Sequence, residues 1–172
     1  MGRRAAAGSL AAYCCVVVAL TMLKAFYRIG YLWDPANQSR RGLSLRPFAE
    51  LIDATSVFAP AFGYGGNIAF FVPVGVLAYV VFGRAGRAIA FGALLSLAME
   101  LGQYIFALGL TDIDDLIMNT LGAALGVGVA KLFGPRFHPL WVGLGYAVAV
   151  VFAGLVLVGE RLGDPSKVTE VY

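Results

Sequence analysis

Five long apolar stretches constrain the fold of this chain more than any other feature of its sequence. A helix needs about 20 mostly apolar residues to cross the hydrocarbon core of a bilayer. Five segments reach or approach that length and are called spans 1 to 5 in chain order: Ala5–Leu23, Gly63–Phe82, Ala88–Leu108, Asp115–Phe133 and Leu140–Val158. We therefore predict an all-α integral membrane protein that folds as a bundle of five transmembrane helices.

The composition supports a membrane protein and argues against several other classes. Hydrophobic residues make up 60% of the chain and charged residues 13%, whereas a soluble domain carries about 25% charged residues. A soluble enzyme, a disordered chain and a nucleic-acid partner are therefore not expected. Cys14 and Cys15 are adjacent, so they form neither a disulfide framework nor a metal site. The sequence predicts no cofactor and no resident metal.

Positive charges in the short turns favour a cytoplasmic N-terminus. The turn after span 2 carries Arg84 and Arg87, and the turn after span 4 carries Arg136, with Lys131 just before it. The short loop Thr111–Asp114 carries no positive charge. Since Lys and Arg concentrate in cytoplasmic loops, we expect this loop and the long loop before span 2 to lie on the outer side.

The long first loop contains apolar residues at helical spacing between Ser44 and Ala59. They are Leu45, Phe48, Leu51, Ile52, Thr55 and Phe58. This spacing predicts a short amphipathic helix at the membrane interface. A packed lid helix without any chemical role would show the same pattern.

Polar residues inside the spans need an explanation, because each ionisable group there costs about 2.5–3.5 kcal/mol. On span 3 the polar stripe covers an arc of about 60° and consists of Ser96, Glu100 and Gln103. On span 4 the stripe covers about 80° and consists of Asp112, Asp115, Asn119, Gly122 and Gly126. Both stripes are predicted to face the bundle. Asp114 falls outside the second stripe, so we expect it to project into the loop or the headgroups.

Three small or helix-bending residues predict how the spans pack. Gly122 and Gly126 are four residues apart and allow a neighbouring backbone to come close, so span 4 is expected to pack tightly against span 2 or span 3. Pro73 lies inside span 2, removes a backbone donor there and is expected to kink the helix. Asn67, near the start of span 2, can then reach towards spans 3 and 4.

These positions predict a polar pocket that is open to one side of the membrane. Its expected members are Asn67, Glu100, Gln103, Asp112, Asp115 and Asn119. Arg46 in the overlying loop is the candidate cation that balances the carboxylates. A buried hydrogen-bond network that merely ties three helices together would have the same members.

Several motifs in this order resemble those of the VanZ-like family. They are Arg46–Phe48, the run Gly66–Gly75, the step Glu100–Gln103, and the stretch Asp112–Gly126. The resemblance spans Leu45 to Phe133. We therefore divide the chain into an N-terminal anchor with the start of the loop (1–44), a VanZ-like core (45–133), and a fifth span with a polar tail (134–172). Family members often carry an arginine shortly before the acidic run, where this chain has Leu108–Thr111.

The resemblance implies a small multi-pass protein of the bacterial plasma membrane and cell envelope. The family's namesake is linked to low-level resistance to the glycopeptide teicoplanin, and no catalytic residues can be carried over. The pocket would then bind, or limit access to, an envelope component such as a lipid-linked cell-wall precursor, or an amphiphilic drug.

Two alternatives stay open at this point. The first is an enzyme acting on a lipid-linked phosphate, with Glu100, Asp112 and Asp115 holding a divalent cation. The second is a structural membrane protein whose polar cluster only ties helices together. Apart from the lipid bilayer, the sequence identifies no definite partner and no oligomeric state.

Overall fold

The computed structural model describes residues 2–23 and 41–159. Five helices in it are long and apolar enough to cross a membrane, which confirms the predicted bundle. They are α1 (Arg3–Met22), α3 (Phe58–Phe82), α4 (Ala85–Phe106), α5 (Ile113–Phe133) and α6 (His138–Leu157), with a 3-10 turn at Pro135–Phe137 before the last helix. The tail, including Glu160 onwards, lies outside the described residues.

The loop before α3 is more ordered than its sequence predicted. A strand β1 (Arg41–Ser44) pairs in parallel with β2 (Gly109–Asp112), and Ser44 lies opposite Asp112. The helix that follows, α2 (Ala49–Asp53), is much shorter than the predicted amphipathic helix. It cannot extend towards the N-terminus because Phe48 adopts a left-handed conformation (φ 59°) and follows Pro47. Residues 41–57 are called the cap below.

The spanning helices alternate in direction, and the acidic and basic residues lie at opposite ends of the bundle. The acidic end is where α1 and α4 end and where α3 and α5 begin, and the cap covers it. All six acidic residues of the described part of the chain are there: Glu50, Asp53, Glu100, Asp112, Asp114 and Asp115. At the opposite, basic end are Arg3, Arg4, Arg84, Arg87, Lys131 and Arg136.

Glycines bring α3 and α5 into backbone contact. A Cβ atom on Gly126 would overlap the backbone of Val72 and Val76, and one on Gly122 would overlap the carbonyl of Ile68. Gly75 on α3 lies equally close to the α5 backbone. The small residues therefore lie against the second span, and α3 continues as one helix through Pro73. This contact sets the relative positions of the polar residues one to three turns away on both helices.

The first and last spans are joined by hydrogen bonds from hydroxyl groups to backbone carbonyls. Ser9 Oγ, which is fully buried, donates to the carbonyl of Val142 at 2.9 Å. Tyr146 Oη donates to the carbonyl of Ala5 at 3.0 Å. Tyr13 Oη donates to the carbonyl of Phe70 on α3 at 3.2 Å. Helix α1 thus links α6 to the central α3–α5 pair.

Replacing Gly126 by alanine is expected to lower the stability of the protein, because the new methyl group would force α3 and α5 apart. Overpacking of this kind costs about 1–3 kcal/mol. The matched control is Gly128→Ala on the same helix, where a Cβ would have no described atom within 4 Å. That control should be neutral or more stable by about 0.5–1 kcal/mol, since alanine favours helix. Thermal unfolding of the purified protein in detergent measures both variants. Equal melting temperatures for the two would contradict this account of the contact.

Candidate functional site

Three carboxylates approach one another at the acidic end of the bundle. Glu100, in the last two turns of α4, is 5% exposed, and its Oε2 accepts a hydrogen bond from the backbone N–H of Asp112 at 2.9 Å. Asp112 is the N-cap residue of α5, and Asp115 is in the first turn of that helix. Thr111 Oγ1 also donates to the backbone carbonyl of Glu100 at 3.0 Å. The end of α4 is thereby fastened to the start of α5.

Two asparagines join the neighbouring helices within the same cluster. Asn67 Nδ2 on α3 donates to Asp115 Oδ1 on α5. Asn119 Nδ2, one turn deeper on α5, donates to Ser96 Oγ on α4 at 2.9 Å. Asn119 is 4% exposed, and its Oδ1 has no hydrogen-bond partner among the described residues. The amides thus connect α3, α5 and α4 in one network.

Two of the predicted pocket residues lie at its edge or outside it. Gln103 Nε2 points towards α1 and donates to the carbonyl of Thr21 at 3.4 Å. Arg46 Nη1 lies 3.3 Å from Asp53 Oδ2, and both side chains are about two-thirds exposed. The structure therefore pairs Arg46 with an aspartate of the cap and not with the buried carboxylates. The Arg46 guanidinium pairs with the exposed Asp53 carboxylate, because burying the guanidinium beside the cluster would remove its hydration.

Asp114 is the residue that the sequence reading placed incorrectly. It is 1% exposed, whereas the helical arc predicted that it would project into the loop or headgroups. Its two carboxylate oxygens accept the backbone N–H of Phe48 at 2.8 and 2.9 Å, and Oδ2 also accepts Tyr64 Oη at 2.7 Å. The helical arc does not predict this burial, because the cap folds over the start of α5 and covers that face of the helix as well. One signal was available: Tyr64 lies one helical turn before Asn67 on α3.

The start of α5 accommodates its acidic run for a local reason. Asp112 is the N-cap residue, and its Oδ1 accepts the backbone N–H of Asp114 at 2.9 Å. Asp114 and Asp115 occupy the first turn of the helix. Acidic side chains are stabilised there by the unpaired N–H groups and the helix dipole. These backbone interactions favour the three carboxylates that occur within four residues at the start of this helix.

The three carboxylates predicted as metal ligands take part in hydrogen bonds. Within residues 2–23 and 41–159, no group of three or more His, Cys, Asp or Glu side chains is arranged to hold a metal ion. Glu100, Asp112 and Asp115 were the expected ligands. Glu100 and Asp112 instead accept backbone N–H groups, and Asp115 accepts an amide. The carboxylates act as hydrogen-bond acceptors that hold helix ends and the cap in place.

Comparison with known proteins assigns the family. A profile of the VanZ/LLP1 family matches residues 10–134, from α1 to the end of α5. The chain belongs to the VanZ/LLP1 family. The match confirms the resemblance and extends it upstream of Leu45 into the first span, while α6 lies beyond it. Protein VanZ from Enterococcus faecium is 38% identical over 136 residues, which are 78% of this chain and 76% of that relative. No solved structure matches.

In this VanZ/LLP1 protein, Asp114→Ala is expected to release the cap from the bundle. The change leaves the Phe48 N–H and the Tyr64 hydroxyl without their acceptor, and hydrogen bonds to a charged group contribute about 1.5–3 kcal/mol each. Hydrogen–deuterium exchange of peptides covering residues 45–57 should accelerate by about tenfold or more. Asp53→Ala, which removes only an exposed pairing with Arg46, is the control and should change exchange little. Unchanged exchange in Asp114→Ala would show that the cap is held in another way.

Proposed function

We propose that this protein is a multi-pass protein of the bacterial plasma membrane that binds, or limits access to, an amphiphilic component at the outer surface of that membrane. The candidates are a lipid-linked cell-wall precursor and a glycopeptide antibiotic. The observation that carries the proposal is the cap, which has an apolar surface and is attached to the acidic end of the bundle by hydrogen bonds to Asp114 and by the β1–β2 pairing. The N-terminus and the basic end are cytoplasmic in this proposal.

The charge distribution supports this orientation. Six Lys and Arg residues are at the basic end, where the described residues include no Asp or Glu. The short loop Thr111–Asp114 at the acidic end carries no Lys or Arg. Because Lys and Arg in short loops favour the cytoplasmic side, the two short turns at the basic end support placing the cap on the outer side.

The surface of the cap and the adjacent turn of α3 supports contact with an amphiphile. Phe58 is 78% exposed and Phe62 is 75% exposed, and their rings stack with centroids 6.2 Å apart. Leu45 and Ile52 on the cap are also exposed. The exposed Arg46–Asp53 pair provides polar groups beside them. An apolar patch with a polar rim at the edge of the membrane is suited to a molecule with both a hydrocarbon part and a polar part.

Membership of the VanZ/LLP1 family supports the choice of ligand class. The family's namesake is linked to low-level resistance to teicoplanin, a glycopeptide antibiotic. In our proposal the cap contacts either the drug or the wall precursor, and the acidic cluster keeps the cap in the required position. The cluster residues then act through the cap and are positioning residues.

A structural role is the second candidate, and the hydrogen bonds of the buried cluster are the observation that favours it. Glu100, Asp114 and Asn67 all have partners within the bundle or the cap. If this network serves only to join helices, its disruption would reduce the amount of protein in the membrane. If the cap is functional, changes on its surface would abolish the phenotype at normal abundance.

Expression of the gene in a susceptible host tests the proposal through teicoplanin susceptibility and the binding of a fluorescent glycopeptide to the cell surface. We expect both to change on expression, and we expect the double variant Ile52→Ser/Phe58→Ser to remove the change while the protein remains abundant. The control is Leu132→Ser, which is 82% exposed at the basic end and should behave as wild type.

Variants of the buried network separate the two candidates. Glu100→Gln, Asp115→Asn and Asn119→Ala should weaken the phenotype in proportion to the loss of order in the cap, with membrane abundance measured in parallel. Equal susceptibility and binding with and without the gene would contradict the proposal. A loss of abundance in this series, together with a full phenotype in the Ile52→Ser/Phe58→Ser variant, would favour the structural role.

A further inference from the structure

We propose that a groove between α5 and α6 holds one acyl chain of an anionic phospholipid, and that Lys131 and Arg136 bind its headgroup at the basic end of the bundle. This site is separate from the cap and from the acidic cluster. The proposed orientation only determines the leaflet, which would be the cytoplasmic one.

The groove has a volume of about 280 Å³ and is formed by four of the five spanning helices. Its wall includes Tyr13 from α1, Pro73 and Val76 from α3, Val129 from α5, and Trp141 and Val148 from α6. It exists because α6 is held against α1 by the Ser9–Val142 and Tyr146–Ala5 hydrogen bonds. That attachment leaves the groove open beside α5, with α3 at its base.

The position of the groove determines what can fill it. Trp141 is in the first turn of α6, and Val148 is seven residues further along, so the groove extends about 10 Å inward from the basic end. All of its helices are membrane spans, and the surrounding medium at that depth is hydrocarbon. An empty apolar groove would forfeit the dispersion contacts of its lining. A lipid chain that enters from the nearby leaflet supplies those contacts.

The charges at the mouth of the groove select the headgroup. Lys131 is in the last turn of α5, with Nζ 5.9 Å from the centre of the Tyr79 ring, one turn beyond Val76 on α3. Arg136 Cζ lies 5.0 Å from the Phe137 ring, which is next to Trp141 with ring centres 6.5 Å apart. Both cations thus lie at the basic end of the bundle, where Trp141 lines the near end of the groove.

These two cations are available for a phosphate. Both side chains are exposed, and all six acidic residues that the structure describes are at the other end of the bundle. A guanidinium and an ammonium group match the oxygens of a phosphate diester. Basic sites between transmembrane helices on the cytoplasmic side are the arrangement that binds anionic headgroups. The charge complementarity therefore favours an anionic over a zwitterionic lipid.

Native mass spectrometry of the full-length protein tests the headgroup preference. The protein is purified in detergent, delipidated and incubated with phosphatidylglycerol or with phosphatidylcholine of the same acyl chains. We expect about tenfold or greater preference for phosphatidylglycerol at the first bound lipid. Lys131→Gln/Arg136→Gln should remove that preference. Arg84→Gln/Arg87→Gln, which removes the same charge from the same end at the α3–α4 turn, should keep it.

Filling the groove tests the acyl-chain part of the proposal. Val148→Trp should abolish retention of the first lipid whatever its headgroup, and Leu144→Trp, also in the groove wall, should do the same. Val150→Trp on the same helix, which is 71% exposed and outside the groove wall, should retain it. Thermal unfolding of each variant shows that the bundle is folded.

Three results would overturn the inference. The first is equal retention of the two lipids by the wild-type protein. The second is an equal loss of headgroup preference in both charge variants. That result would show that the preference depends only on the net charge of the basic end. The third is a dimer that disappears in Val148→Trp while lipid binding persists, because the groove would then hold a second copy of the chain. None of these results bears on the glycopeptide experiment, so the two proposals can fail independently.

Discussion

The close approach of α3 and α5 is the contact on which the acidic end depends. Gly75, Gly122 and Gly126 let the two backbones touch. Only at that separation can the short side chain of Asn67 reach Asp115, and only then does Tyr64 reach Asp114. A larger residue at these glycines would lengthen all of these distances together. Dispersion contact between two backbones in the membrane core thus determines hydrogen bonds one to three turns away.

Backbone donors stabilise several of the carboxylates at the acidic end of the bundle. The backbone N–H of Phe48 donates to the Asp114 carboxylate, and the backbone N–H of Asp112 donates to the Glu100 carboxylate. The donors come from places where the chain leaves regular helix, at the left-handed Phe48 and at the N-cap of α5. The arginine expected to balance the cluster, Arg46, remains solvated beside Asp53 instead.

Much of the bundle could be predicted from sequence, because a span of about 20 apolar residues has few alternatives to helix in a bilayer. The polar stripes on α4 and α5 could also be predicted, since helical periodicity determines which residues share a face of a helix. What could not be read was contact between distant segments. Asp114 accepts an N–H from a residue 66 positions earlier, and β1 pairs with a strand that lies beyond two intervening spans. Periodicity within one helix carries no information on such pairs.

The attachment of α6 to α1 has a consequence for biogenesis. During synthesis α1 enters the membrane first, and Ser9, Ala5 and Tyr13 then face lipid until later spans arrive. The hydroxyl of Ser9 can reach its acceptor on Val142 only after the whole central bundle has left the ribosome. The hydrogen bonds between α1 and α6 can therefore form only after α6 has been synthesised. In a nascent chain arrested before α6, the Ser9 hydroxyl on α1 would lack this acceptor.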